Sequence, residues 1–264
     1  MGPNQRPSHA AVDARPVIAV TPRPLRAAYE HAALAISLGA LALMCLAWSA
    51  CAAVLIYALP RATAAALGRR VISRGFRLYA GMLSAIGAYR LDLSELDALR
   101  GGPPLILAPN HPSLIDALLI LSRAPDAACV MKAALLRNPL LGAGARLARY
   151  VANDSPRQMV TESVRILRGG TSLLLFPEGT RTERPPINTL AAGIGLIAKR
   201  AGVPVQTLLI ETDSGFLGKG WPLWRAPRLP IAYRVRLGER FAPGADTAAL
   251  VADLDRYFRD TLER

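Results

Sequence analysis

Leu105-Ile106-Leu107-Ala108-Pro109-Asn110-His111-Pro112-Ser113-Leu114-Ile115-Asp116 is a short apolar run that breaks on polar residues and then resumes with helical spacing. Leu105 to Ala108 reads as a buried strand, and Ser113 to about Leu121 as the helix that follows it. A second apolar strand, Ser172 to Phe176, follows the Gly169-Gly170 turn and runs into Pro177-Glu178-Gly179-Thr180-Arg181. Around these two units the pattern repeats. Strands are expected at Ala128–Met131, at Val205–Ile210 and at residues 231–237, where the alternation has period two. Helices are expected at about 140–149, 157–168 and 190–201, and from about Asp246 to the end. Such alternation predicts an α/β domain over residues 89–264, with a mainly parallel or mixed sheet flanked by helices.

Outward from this domain, the N-terminal third has a different composition. Residues 1–31 mix Pro, Arg, Ala and small polar residues without periodicity and read as a basic flexible arm. From Ala32 to Leu59 no charged residue occurs, a stretch longer than the roughly 20 residues that cross a hydrocarbon core. It reads as a membrane-inserted helical segment, either one helix or a half-inserted hairpin hinged near Gly39. Arginines flank it on both sides (Arg6, Arg15, Arg23 and Arg26 before; Arg61, Arg69, Arg70, Arg74 and Arg77 after). That balance favours entry and exit on one face, with the domain cytoplasmic. Over residues 60–88, Leu67, Val71, Leu78, Met82 and Ile86 share a helical face among these arginines. This predicts an amphipathic basic helix, either at an anionic membrane surface or packed on the domain.

The composition of the whole chain agrees with membrane association. Its 264 residues are 52% hydrophobic, the mean hydropathy is +0.26 and the formal net charge is +13. That charge attracts anions of any kind, but no nucleic-acid recognition motif accompanies it, so a nucleic-acid partner is not expected. Cys45, Cys51 and Cys129 form neither a C-x-x-C pair nor a zinc spacing, so no metal site is expected.

Of the three histidines, His9, His31 and His111, only the last stands where a strand passes into a helix, the place where open α/β sheets bind ligands. With Ser113 as N-cap, Asp116 falls at N3, and a side chain there points back toward the helix start and the imidazole. A neutral imidazole can take a proton from an attacking hydroxyl while the carboxylate fixes its tautomer and stabilises the imidazolium. Ser113-x-x-Asp116 is equally a capping box that needs no chemistry. The second strand end supplies a carboxylate (Glu178), a turn (Gly179), a hydroxyl (Thr180) and a guanidinium (Arg181), which can bind phosphate or carboxylate or merely close a turn.

Taken together, His111-Pro112-Ser113-Leu114-Ile115-Asp116 and Phe176-Pro177-Glu178-Gly179-Thr180-Arg181 resemble the signature of the glycerolipid acyltransferase family, whose best-known members are the 1-acylglycerol-3-phosphate acyltransferases. Val203-Pro204-Val205 is similar to a third family block, and the resemblance covers roughly residues 60–240. It implies acyl transfer from acyl-CoA or acyl carrier protein, as co-substrate and without a cofactor, to a lipid hydroxyl at a bilayer. It also implies that His111 and Asp116 are catalytic, and that Glu178, Gly179, Thr180 and Arg181 belong to the acceptor site. One block departs from the pattern. Where the family has Gly-x-Ile-Phe-Ile-x-Arg, with a phosphate-binding Arg, this chain has Ala148-Arg149-Tyr150-Val151-Ala152-Asn153-Asp154. An acid there opposes a phosphomonoester and favours a different lyso-lipid or a lipid-like alcohol.

Two further stretches complete the reading. Gly193-Ile194-Gly195-Leu196-Ile197-Ala198 imitates a dinucleotide fingerprint, but no strand leads into it, so its small residues are assigned to close helix–sheet packing. Ser214 to Trp224, rich in Gly and aromatics, is either a loop at a membrane or acyl-chain surface or an ordinary packed loop. The competing function is a non-catalytic protein that binds anionic lipid through Arg69, Arg70, Arg74 and Arg77.

Overall fold

A computed structural model describes residues 23–263; the expected arm lies outside the described residues up to position 22. Helix α1 spans Arg23–Ala58 and α2 Arg61–Ala85. Then follow β1 (Tyr89–Asp92), a 3-10 turn (Ser94–Leu99), β2 (Ile106–Pro109), α3 (Asp116–Leu121), β3 (Ala128–Met131), α4 (Ala133–Leu136), α5 (Gly142–Leu147), β4 (Val151–Ala152) and α6 (Pro156–Arg168). The chain closes with β5 (Leu173–Leu174), α7 (Gly193–Ala201), β6 (Val205–Thr212), β7 (Ile231–Phe241) and α8 (Thr247–Leu262). The seven strands form one sheet in the order β1-β7-β6-β2-β5-β3-β4. Only the β6–β7 pairing is antiparallel, so the mixed, mainly parallel sheet matches the expectation. One face carries a core shared with α1, α2 and α3, including Leu83, Leu119 and Phe216. The other is covered by α6, α7 and α8 through Leu167, Ile197 and Phe258.

Three features of the N-terminal third bear on the expectation. Residues 23–31 are helix rather than arm. Pro24 falls in the first turn, where a missing N–H costs nothing, and Arg26 pairs with Glu30 one turn on. Next, α1 is continuous through Gly39, which is the single-helix alternative and not the hairpin, and the chain reverses at Leu59-Pro60. Finally, α1 lies against the domain along its length. Ser49 Oγ donates to the Leu140 carbonyl at 2.7 Å, and a Cβ on Gly144 of α5 would come within 2.6 Å of the Trp48 ring. Its inner face is Ala33, Leu34, Ser37, Cys45, Ser49 and Ala52. The outer face exposes Ile36, Leu43, Leu46, Val54 and Tyr57.

In α2 the buried face is made of small residues, Ala64, Ala65, Gly68 and Ser73, together with Ile72, Tyr79 and Leu83, whereas Leu78 of the expected apolar face is exposed. Of its arginines Arg69 is half-buried, and Arg70, Arg74 and Arg77 are exposed. Arg69 donates to the Ala148 carbonyl, Arg77 to the Ser122 carbonyl, and Arg70 pairs with Asp126. Three of the four arginines of the lipid-binding reading thus have partners within the fold, while Arg70, Arg74 and Arg77 keep their side chains exposed.

Candidate active site

Parallel strands deliver their C-terminal ends to one edge of the sheet. β2 hands over Asn110 and His111, β5 the segment from Phe176, β3 Lys132, β4 Asn153 and Asp154, and β6 the long connection 213–230. Asn110 secures this edge. Its side chain donates to the Ile210 carbonyl at 3.0 Å and accepts from the Ile210 N–H at 2.7 Å, which joins the end of β2 to β6.

His111 Nδ1 lies 2.7 Å from Asp116 Oδ2. A carboxylate can only accept, so Nδ1 carries the proton and Nε2 is the nitrogen left for proton abstraction. The imidazole is 15% exposed and the carboxylate fully buried. Oδ2 also accepts from the Ser113 N–H at 2.8 Å, while Oδ1 is buried with no hydrogen-bond partner among the described residues. Burial pushes the Asp116 carboxyl up to about 6, opposed by the bond from His111.

The capping box is only half present. Ser113 Oγ donates to the Phe216 carbonyl at 2.9 Å instead of capping the helix, so residues 113–115 form a turn and α3 begins at Asp116. The acid thus stands at the first helical position rather than the third. It still reaches the imidazole, because the turn brings Asp116 back beneath His111.

Three further groups hold the histidine. Its N–H donates to Glu178 Oε1 at 2.8 Å, its carbonyl accepts from the Thr182 N–H at 2.8 Å, and its ring stacks on Phe176 with centroids 3.8 Å apart. Glu178 is buried, and burial raises its carboxyl. Its Oε1 also accepts from Thr182 Oγ1, and its Oε2 from the Asn188 N–H. Both its oxygens are thereby engaged inside the protein, so Glu178 braces His111. Gly179 turns the chain with φ +69°, a conformation that favours glycine. Thr180 is half-buried. Arg181 Nη1 donates to the carbonyls of Leu217 and Gly218 at 2.7 and 2.9 Å, and Leu114 N–H donates to the same Leu217 carbonyl. The two motifs and the 213–230 connection are thus one network.

Beside the network lies an apolar cavity of about 100 Å³ between α1, α2, α3 and the β6–β7 connection, lined by Leu34, Tyr89, Ile115, Leu118, Phe216 and Leu229 among others. Among the described residues no cluster suited to a metal ion occurs. Sequence reasoning missed the bracing roles of Thr182 and Asn188, the stacking role of Phe176, and Lys132. The last had a signal: it is one of three lysines in an arginine-rich chain and directly follows a strand. Register places it near Pro177, since Cys129 pairs with Leu174.

A family model described as Acyltransferase matches residues 90–211. The 1-acyl-sn-glycerol-3-phosphate acyltransferase of Pseudomonas aeruginosa is 22% identical over 71% of this chain and 73% of its own length. The chloroplastic 1-acyl-sn-glycerol-3-phosphate acyltransferase BAT2 of Brassica napus is 27% identical over 46% of this chain, a match that spans only 37% of that protein. In fold, the chain is similar to the crystal structure of the 1-acyl-sn-glycerophosphate (LPA) acyltransferase PlsC from Thermotoga maritima. The TM-score is 0.60 at 20% identity, covering 74% of this chain and 80% of that one.

Proposed function

From the match of residues 90–211 to an acyltransferase family model and the similarity to 1-acyl-sn-glycerol-3-phosphate acyltransferases, we propose that the chain is a membrane-bound O-acyltransferase with His111 as general base. It moves a fatty acyl group from acyl-CoA or acyl carrier protein to a hydroxyl of a lyso-phospholipid or related lipid acceptor. One observation carries the mechanism: the 2.7 Å contact of His111 Nδ1 with a fully buried carboxylate at the C-terminal edge of the sheet. Nε2 takes the proton of the acceptor hydroxyl as its oxygen attacks the thioester carbonyl. Asp116 stabilises the imidazolium, the carbon–sulfur bond breaks, and the imidazolium returns the proton to the departing thiolate. The adjoining apolar cavity suits an acyl chain. Lys132 is exposed at the same edge and suits an anionic group of either substrate.

The apolar outer face of α1 supports attachment to the cell membrane, with the domain on the cytoplasmic side where both flanking arginine groups would lie. Because α1 packs along the domain, it suits a helix embedded from one side better than one standing free across the bilayer.

A second acceptor class is favoured by Asp154, which is exposed two residues beyond β4 at the catalytic edge. A carboxylate there repels a phosphomonoester and suits a lipid-like alcohol without one. The test is acyl transfer by the purified protein in bilayers, with labelled acyl-CoA and acyl carrier protein offered to a panel running from lysophosphatidate to neutral lipid alcohols. His111→Ala is expected to lower the rate by at least ~10²-fold, the usual scale for a general base. Full activity in that variant sinks the mechanism, and transfer to no acceptor sinks the function.

A further inference from the structure

The 213–230 connection has a fixed base and an exposed tip. At the base, Ser113 Oγ holds the Phe216 carbonyl, Arg181 and Leu114 N–H hold Leu217, and Arg181 also holds Gly218. Its far end is fixed as well: Leu229 N–H donates to Glu30 of α1, and Arg26 donates to the Leu229 carbonyl. Between these anchors the chain projects Leu223 and Trp224, which are 54% and 81% exposed. Trp224 is among the most exposed large apolar side chains of the described residues.

The surroundings of the tip are apolar and cationic. Residues 214–230 contain Lys219, Arg225 and Arg228 and no acid. Lys219 is paired with Glu183, whereas the Arg225 guanidinium lies 4.7 Å from the Trp221 ring centre and Arg228 is exposed. Leu114, within the catalytic motif itself, is 53% exposed and lines the apolar cavity together with Leu223. The Glu30 and Arg26 bonds make the tip continuous with the N-terminal turns of α1, where Leu25 and Tyr29 are also exposed. An exposed Trp and Leu beside arginines that pair with no acid among the described residues, continuous with an apolar helix face, match a bilayer interface: the indole sits at headgroup depth and the guanidinium groups meet anionic headgroups.

We propose that the tip of the β6–β7 connection, Leu223 and Trp224 with Arg225 and Arg228, is a second membrane contact that seats the mouth of the active site on an anionic lipid leaflet. The proposal rests on the membrane attachment of α1 and not on the chemistry at His111. A lipid hydroxyl could then reach the catalytic edge without leaving the headgroup layer, because the docked tip and His111 are joined through Ser113, Leu114 and Arg181.

Tryptophan fluorescence of the full-length protein on vesicles of phosphatidylcholine and phosphatidylglycerol tests this. The signal of Trp224 is taken as the difference between the wild type and Trp224→Phe, and vesicle flotation confirms attachment of both. The expected result is a Trp224 signal that shifts to the blue, is lost when the phosphatidylcholine carries brominated chains, and is shielded from aqueous iodide. A floated protein whose Trp224 signal is quenched by iodide and untouched by brominated chains overturns the proposal alone. Failure to float overturns the membrane reading of α1 and this proposal with it.

Discussion

Replacing Asp116 by Asn separates what the buried acid does for the reaction from what it does for the fold. Burial moves the Asp116 carboxyl from 3.8 up to about 6. The folded state therefore holds this proton more tightly than the unfolded chain does. Stability falls as pH rises between those two values, and above about 6 the ionised carboxylate opposes folding by about 3 kcal/mol. An amide in its place keeps an oxygen for the His111 Nδ1 and Ser113 N–H donors. Its NH₂ then occupies the site of Oδ1, which has no partner among the described residues, at a cost of about 1–3 kcal/mol. The net effect at pH 8 lies between no change and a gain of about 2 kcal/mol. Activity moves the other way. A charge removed at about 4 Å from the imidazolium, at an effective dielectric constant of about 20, is worth up to about 4 kcal/mol, so kcat falls by about 10²–10³-fold. The wild type is also expected to lose activity as pH drops through about 6, where Asp116 takes up its proton. Steady-state acyl transfer and denaturant melts of both proteins across pH 5–8 read all three effects. An unchanged kcat, or a variant destabilised by more than about 2 kcal/mol at pH 8, refutes the reasoning.

Glu178→Gln leaves an oxygen for His111 but sets an NH₂ against the Asn188 N–H. It is expected to cost about 1–3 kcal/mol in a thermal melt and to lower kcat at least about tenfold with KM little changed, because it displaces the base rather than the substrate. Gly195→Ala builds a Cβ 2.5 Å from the Thr247 carbonyl, so α7 and α8 must separate. The expected loss is about 1–3 kcal/mol by denaturant titration, with normal activity per folded molecule.

Much of the catalytic half was legible because its signals are local. Apolar runs bounded by Pro and Gly located β2 and β5, and a histidine at a strand end marked the C-terminal edge of the sheet. What was not legible depends on distant partners. Ser113 looked like a cap because nothing in its own neighbourhood shows Phe216 competing for its hydroxyl. The arginines of α2 looked free because Ala148, Ser122 and Asp126 lie far away in sequence. Gly195 was assigned to helix–sheet packing, yet the close approach is to α8, more than 50 residues on. Glu178 looked like a ligand for substrate because a carboxylate beside an arginine carries no sign that His111, Thr182 and Asn188 already use it. Helix α1 began earlier than its apolar run, since Arg26 and Glu30 stabilise its first turns through each other rather than through hydrophobicity.

The double character of α1 leaves a trace in which substitutions it can accept. Along Ala33, Ser37, Cys45, Ser49 and Ala52 the helix answers to the close packing of a protein interior, where one added methylene is felt. On the proposed membrane attachment, Ile36, Leu43, Leu46 and Val54 answer only to the need to be apolar, and Leu, Ile, Val and Phe are interchangeable there. A single helix thus follows two vocabularies of replacement, one per face, and tolerance to mutation around its circumference would map the boundary between protein and lipid.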